Sequence, residues 1–329
     1  MRVLLVGGYR ENVGPANVNK KIIKYMPGDF SYIKCRKGKG PGKILMILEL
    51  LIKLCFSQVT IVSTISRNGY IAGKFCACFH KKLVFLMHGC VDYEIELNKI
   101  EGQENSRKWE KYLMEHATLI LPVSYRYGAW LRERYPNMKH RIGEWLLGSD
   151  SEERVNDEPR NKGLILTAGG NMPQKNNNKV SDAVAGLNGA ARLEIYGHVV
   201  PDWPSRMNEN TKWMGQVPNS TFIKRLSVAD VFIVNSTLES FNISLMEALR
   251  CGCNILVSAN VGALDLLEVE PADVINDVND VNELRSKILH LLDHPNHDRI
   301  CAKIAWNEIT NARAVSRLRE ICENHYRCD

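Results

Sequence analysis

The chain has 329 residues, 45% of them hydrophobic and 24% charged, which describes a globular protein with ample material for a core. That length suits two domains of about 150 residues better than one. The formal charge of +6 hides an asymmetry: residues 1–150 carry 24 Lys and Arg against 13 Asp and Glu, and the remainder is acidic. A basic half can meet a nucleic acid, an anionic membrane or a phosphorylated substrate. No helix-turn-helix, zinc-finger or RNA-binding signature accompanies the charge, so no nucleic-acid partner is expected. The ten cysteines lie mainly inside apolar runs and read as reduced core thiols. Cys76-x-Cys78 and Cys251-x-Cys253 lack the spacing of a zinc site, and no metal is expected. The N-terminus turns polar too soon for a signal segment, which points to a cytoplasmic protein.

Taken in order, residues 2–6 form an apolar run ended by Gly7-Gly8, predicted as a buried parallel strand entering a glycine turn, and a basic helix follows at 18–25. GGx5G is not GxGxxG, so a dinucleotide site is not supported. A tight turn that needs glycine and a loop that lets a bulky substrate approach the backbone both stay open. Residues 34–43 (KCRKGKGPGK) are a basic, Gly/Pro-broken loop. The apolar segment 44–56 after it falls short of the ~20 residues that span a bilayer. It is expected to be a helix buried in the domain; a second reading rests the loop and part of the helix on an anionic membrane surface. Strands are predicted at 59–64 and 83–87, with a helix at 69–79 between them. His88-Gly89 then stand at a strand's carboxyl end, where an imidazole can donate a hydrogen bond or shuttle a proton, or simply occupy a loop. A single charged helix is expected over 92–115, then a strand at 119–123 and a helix after Ser124.

The composition turns polar and acidic after residues 145–150, which marks a domain boundary. The predicted division is 1–155, 156–305 and a C-terminal helix, 306–329, crossing back toward the first domain. A strand at 164–167 opens onto Gly169-Gly170 and an Asn-rich loop with Lys175, placed to reach a phosphate or else solvated. Further strands are expected at 193–196, before Gly197, and near 214–218, with Val217 in the turn; a helix is expected at 221–226. The segment 230–258 reads as strand, loop with Glu239, helix with Glu247, a stop at Gly252 and a second strand at 254–258. The C-terminal part is expected to be helical at 280–294 and 299–326, broken at Pro295.

Ser244-x-x-Glu247 matches a capping box, which would leave Glu247 a structural role. Against that, Glu247 lies between residues expected to be buried, where an acid needs a partner. The run from Glu239 to Glu247 and on through Gly252 resembles the E-x7-E signature of family 4 retaining glycosyltransferases. Gly7-Gly8, His88, LLGSD, the Lys175 loop, the Gly197 turn and Gly-Gln-Val-Pro follow in that family's order, so the resemblance covers essentially the whole chain.

The resemblance implies an α/β fold of the GT-B type, two Rossmann-like domains facing a central cleft. It implies that Glu247 accepts from donor ribose hydroxyls, Glu239 contacts the transferred sugar, and the amides of Phe241, Asn242 and Ile243 cradle the diphosphate. Lys175 would neutralise charge on the leaving group, His88 would hydrogen-bond the sugar, and Val217 would pack the nucleobase. Gly7 and Gly8 would border donor and acceptor, with Gly170 and Gly197 also among the donor-binding positions. No metal or cofactor is implied beyond the nucleotide diphosphate sugar itself. The expected activity is transfer of a hexose or N-acetylhexosamine, UDP-linked, to a hydroxyl of a glycan or lipid-linked glycan in surface-polysaccharide synthesis, at the inner face of the cell membrane. A nucleotide-sugar epimerase or hydrolase, and a silent glycan-binding partner subunit, are the alternatives. Two departures mark the diphosphate pocket: Asn171 stands where the family has Arg, and Asn242 where it has Gly.

Overall fold

The protein is described here by a computed structural model covering residues 1–9, 14–33, 41–149, 159–201, 204–205 and 208–327. Most of the basic loop expected at 34–43 and the polar boundary segment at 150–158 lie outside the described residues. The chain divides into two compact units, Met1–Gly148 with Asn307–Asp329, and Ser149–Trp306.

The first unit runs β1 (Val3–Val6), α1 (Gly14–Tyr25), β2 (Phe30–Tyr32), α2 (Pro41–Phe56), β3 (Val59–Val62), α3 (Arg67–Cys78), β4 (Lys82–Met87), α4 (Val91–Asn98), α5 (Glu104–His116), β5 (Leu119–Pro122) and α6 (Tyr125–Arg134). Its strands pair in parallel in the order β2-β1-β3-β4-β5. A parallel sheet covered on both faces needs near-continuous apolar strands, and every residue of β1 and β3 is buried.

The second unit runs β6 (Asn161–Ala168), α7 (Asn177–Ala185), β7 (Arg192–Tyr196), β8 (Thr211–Gly215), α8 (Asn219–Leu226), β9 (Ala229–Val234), α9 (Ile243–Arg250), β10 (Asn254–Ser258), β11 (Val274–Ile275), α10 (Val281–Asp293) and α11 (His297–Cys301). Its parallel order, β11-β10-β9-β6-β7-β8, is that of a doubly wound Rossmann sheet. Ile165, Ile195, Ile233 and Leu256 from the strands close against Val184, Leu284 and Ile288 from α7 and α10. Each such side chain, fully buried, stabilises the unit by about 1.5–3 kcal/mol. The chain then returns to the first unit as α12 (Asn311–Arg327), which packs on α1. There Arg319 donates to the carbonyls of Met1 and Asp29, and the Trp145 indole donates to that of Ala314.

The order of strands locates the places where connections leave in opposite directions. In the second unit this switch lies between β6 and β9, in the first between β1 and β3. Ligands of open α/β sheets bind outside the carboxyl ends of the strands at such points.

Several expectations are corrected. Residues 92–115 form two helices, because Lys99 takes a left-handed conformation at φ 52° that ends α4, and Gly102 a second at φ 73° before α5. The helix expected at 299–326 is likewise two, with residues 302–310 outside both. The helix at 44–56 is not buried. Leu50 and Leu54 reach the core, but Ile44, Leu48, Ile52 and Phe56, spaced by four, are 63%, 49%, 58% and 64% exposed, and Leu45 beside them is 51% exposed. A helix docked on one side of a sheet buries one stripe, and here the opposite stripe is apolar too.

Candidate active site

The site builds from the carboxyl ends of β6 and β9. Gly169 and Gly170 end β6 with φ 102° and 62°, and Gly197 ends β7 with φ 125°. A Cβ on Gly170 would lie 1.8 Å from the His198 carbonyl oxygen, so only glycine lets these two strand ends meet. The Gly170 amide donates to the Tyr196 carbonyl at 2.9 Å. Glycine at 169 also lets the Lys175 stem cross the backbone, since a Cβ there would meet its Cγ at 2.6 Å. The loop with Lys175 is tied to the loop after β9: the Thr237 amide donates to the Gln174 carbonyl at 2.9 Å, and Asn176 Nδ2 to Thr237 Oγ1 at 3.1 Å.

That stitching brings Lys175 Nζ onto Glu239 Oε1, which also accepts from Ser236 Oγ at 2.8 Å. Glu239 itself is held by backbone. Its amide donates to the Asn260 carbonyl and its carbonyl accepts from the Gly262 amide, both at 3.0 Å, forming a parallel bridge beside Val261. Ala263 N extends the contact to the Phe241 carbonyl at 2.8 Å.

Helix α9 begins just beyond. Asn242 adopts φ 82°, and its Oδ1 accepts from the Leu245 amide at 3.0 Å, making it the N-cap. The capping box read from Ser244 and Glu247 does not form, because the helix starts two residues before the register it requires. Leu245, Met246, Ala248 and Leu249 are buried, whereas Glu247 keeps some exposure and accepts from Asn219 Nδ2 at 3.4 Å. Asn219 opens α8 directly after the turn that holds the half-buried Val217. Asn171, where an arginine was looked for, is a backbone clamp. Its Nδ2 donates to the Val200 carbonyl at 2.7 Å and its Oδ1 accepts from the Val200 amide at 2.8 Å, which pins the segment after Gly197.

In the first unit, Gly7 is demanded by packing: a Cβ would lie 2.3 Å from Ser63 Oγ and 2.6 Å from Asn19 Nδ2. Gly8 has open space where a side chain would project, while its carbonyl accepts from Asn19 Nδ2 at 2.7 Å. His88 follows β4. Burial lowers its pKa to about 4, which leaves the ring neutral at physiological pH.

Sequence reasoning missed Ser236, Asn260, Asn219 and Ser63, short polar residues at or just beyond strand or helix ends, and Asn19 within α1; none of them carries a motif. Among the described residues no group of three His, Cys, Asp or Glu side chains converges as a metal site requires. The Cys301–His297–Asp298 cluster has the makings of a nucleophile, with Sγ 3.3 Å from Nε2, but burial pushes the thiol up to about 11. What the second unit assembles is an ammonium, a helix N-terminus whose first amides have no intrahelical acceptor, and two carboxylates able to accept from hydroxyls. That set suits a phosphorylated polyol.

Residues 149–307 match the family described as glycosyl transferases group 1. A stretch of 109 residues is 28% identical to the O-antigen chain mannosyltransferase B of Escherichia coli, covering 33% of this chain and 26% of that protein, so the match spans about a quarter of the relative. Among solved structures, Anabaena HepE in complex with UDP-glucose superposes with a TM-score of 0.73 at 12% identity, covering 98% of this chain and 100% of that one. Sucrose-phosphate synthase from Thermosynechococcus elongatus gives 0.70 at 14% identity over 100% of both chains. These likenesses establish the fold as GT-B, built from two Rossmann-like domains.

Proposed function

We propose that this chain, whose second unit matches the group 1 glycosyl transferases, is a retaining glycosyltransferase. In this reading it moves a hexose or N-acetylhexosamine from a UDP-linked donor to a glycan hydroxyl without a metal. The observation that carries the reading is the meeting of Lys175 and Glu239 at the β6/β9 switch point, beside the N-terminus of α9. The diphosphate docks on the amides of Phe241, Asn242 and Ile243, where the helix dipole favours negative charge. Lys175 then exchanges Glu239 for the leaving diphosphate and meets the charge that grows as the glycosidic bond breaks. Glu239, released, accepts from the transferred sugar. Glu247 takes the ribose hydroxyls, with Asn219 orienting its carboxylate and Val217 against the base; Gly170 and Gly197 shape the donor side by letting the ends of β6 and β7 meet. The first unit is assigned the acceptor side; from it His88 hydrogen-bonds the donor sugar, and Gly7 and Gly8 border donor and acceptor. Retention rests on the resemblance of the Glu239–Glu247 spacing.

The acceptor we assign is a lipid-linked glycan, reached at an anionic membrane surface on the cytoplasmic side. Two observations support this: the apolar outer stripe of α2, and the five cations Lys34, Arg36, Lys37, Lys39 and Lys43 that lead into it in sequence without an intervening acid. No helix among the described residues is long and apolar enough to cross a membrane.

Thermal shift with UDP, UDP-glucose and UDP-N-acetylglucosamine tests the donor assignment. A ligand at 100 times its Kd stabilises the native state by about 2.7 kcal/mol and raises Tm accordingly. Absence of any shift with nucleotide, or normal turnover by Glu247→Ala, would overturn the reading.

A further inference from the structure

Helix α4 leaves the His88 turn without a cap of its own. Its N-cap residue is Cys90, a weak acceptor whose side chain makes no cap hydrogen bond; the thiol lies 3.2 Å from the Tyr135 hydroxyl. The first amides of a helix need acceptors when buried, and each left without one costs about 1–3 kcal/mol in a folded protein. Here the acceptor comes from another helix. Glu110, in the middle of α5 and only 1% exposed, accepts from the Val91 amide through Oε1 and from the Asp92 amide through Oε2, both at 2.7 Å. Only two residues, Gly89 and Cys90, separate His88 from the clamped segment.

We infer that Glu110 is a positioning residue for the His88 turn: its carboxylate, reaching across from α5, fixes the start of α4 and with it the direction in which His88 leaves β4. The consequence for catalysis rests on the reading of His88 as a site residue. The linkage is short: the two clamped amides begin three residues after His88, and the Glu94 carboxylate folds back over the turn, where a Cβ on Gly89 would lie 2.4 Å from its Oε1.

The clamp depends on charge. A carboxylate accepts with both oxygens, whereas the protonated acid gives up one strong acceptor. Burial is the main cause that raises the Glu110 pKa, to about 7, against the lowering effect of the two amides. The groups facing it are Asp92 and Glu94 on α4, which raise it further, with Cys90 at the N-cap and Tyr127 and Tyr135 on the α6 side. Arg134 reaches the same neighbourhood and pairs with Asp92 at 3.6 Å. His88, neutral above about pH 4, does not titrate in this range.

Hydrogen exchange of the full chain, wild type against Glu110→Gln, reads the clamp directly. Gln keeps the shape but offers one acceptor where the carboxylate offers two. Exchange at Val91 and Asp92 is expected to rise on the order of tenfold at pH 8, the equivalent of one lost hydrogen bond, with the rest of α5 unchanged. In the wild type the same protection, against a local opening that removes the two amides while Glu110 stays buried, should weaken as pH falls through about 7; in Glu110→Gln it should be flat. UDP-glucose turnover should show that pH dependence in kcat and lose it in the variant, while calorimetric binding of UDP is unchanged. Unaltered exchange at Val91 and Asp92, or an increase spread evenly over α5, overturns the positioning role. If no UDP-sugar is bound or turned over yet the local exchange responds, the glycosyltransferase reading fails and the clamp stands.

Discussion

Lys175 Nζ donates to Glu239 Oε1 across the strand ends of β6 and β9, so two residues assigned to opposite tasks neutralise each other. Both side chains are largely buried, at 18% and 11% exposure, where an ion pair is stronger than on the surface and costly to break from one side only. In the proposed reading a diphosphate would bring the anion that replaces Glu239 on Lys175. On that reading the pair would hold the ammonium in place and release the carboxylate for the sugar.

Removing the ammonium should therefore show in turnover before it shows in nucleotide affinity. Lys175→Met is expected to lower kcat with a UDP-sugar by on the order of 10²–10³, the scale of losing one preorganised charge-stabilising donor. UDP binding, measured by calorimetry, should weaken far less, because the α9 amides remain. Equal losses in both would assign Lys175 to ground-state binding instead.

Asn242 serves two needs at once, a left-handed backbone and an N-cap. Asn242→Ala forfeits both and should destabilise the protein by about 1–2 kcal/mol in urea unfolding. Asn242→Gly keeps the backbone conformation, and glycine caps nearly as well, so its cost should be a few tenths of a kcal/mol. The order of the two variants is the informative result, and UDP affinity should follow it.

Glu110 carries a pH dependence of stability opposite to that of most salt-bridged acids. Its folded pKa of about 7 lies above the ordinary 4.5, so the native state binds its proton more tightly than the unfolded chain. Stability from this group is full below about pH 4.5 and declines as pH rises to about 7, beyond which it is constant. Subtracting the unfolding free energies of Glu110→Gln from wild type across pH 4.5–8 should reveal a decline of about 3 kcal/mol. A flat difference would show that Glu110 titrates normally.

The outer stripe of α2 is expected to matter to a membrane and not to the fold. Ile52→Asp and Phe56→Asp replace exposed side chains, so Tm should move by the equivalent of no more than about 0.5 kcal/mol. Co-sedimentation with vesicles containing phosphatidylglycerol should fall in both variants, and in wild type should weaken with salt. Wild-type protein that ignores such vesicles at low salt sinks the membrane assignment, and self-association abolished by the same variants would give the stripe to a second copy of the chain.

Strand-end glycines, the Lys175 loop and the Glu239–Glu247 run were legible because each has a local signature: an apolar run, a glycine where the chain must turn left-handed, a helix start. The strand β10 was read at its observed limits. The break between α4 and α5 was not, because Lys99 takes a left-handed turn in a sequence whose charges continue a helical pattern. Asn171 was read as a missing charge, since nothing near it in sequence announces that its amide faces Val200, 29 residues on.

By itself, then, the sequence determined the two Rossmann-like halves, the class of chemistry they resemble and the residues that end their strands, since periodicity and turn chemistry act over a few residues. Only the tertiary structure decided who meets whom. The strand order puts β6 next to β9, although 60 residues separate the end of one from the start of the other, and so places Lys175 on Glu239. The packing of α5 against α4 delivers Glu110 to the amides behind His88. Contacts of that kind are fixed by the folded backbone's need to close every buried donor and acceptor, a condition satisfied across the sheet and between helices rather than along the chain.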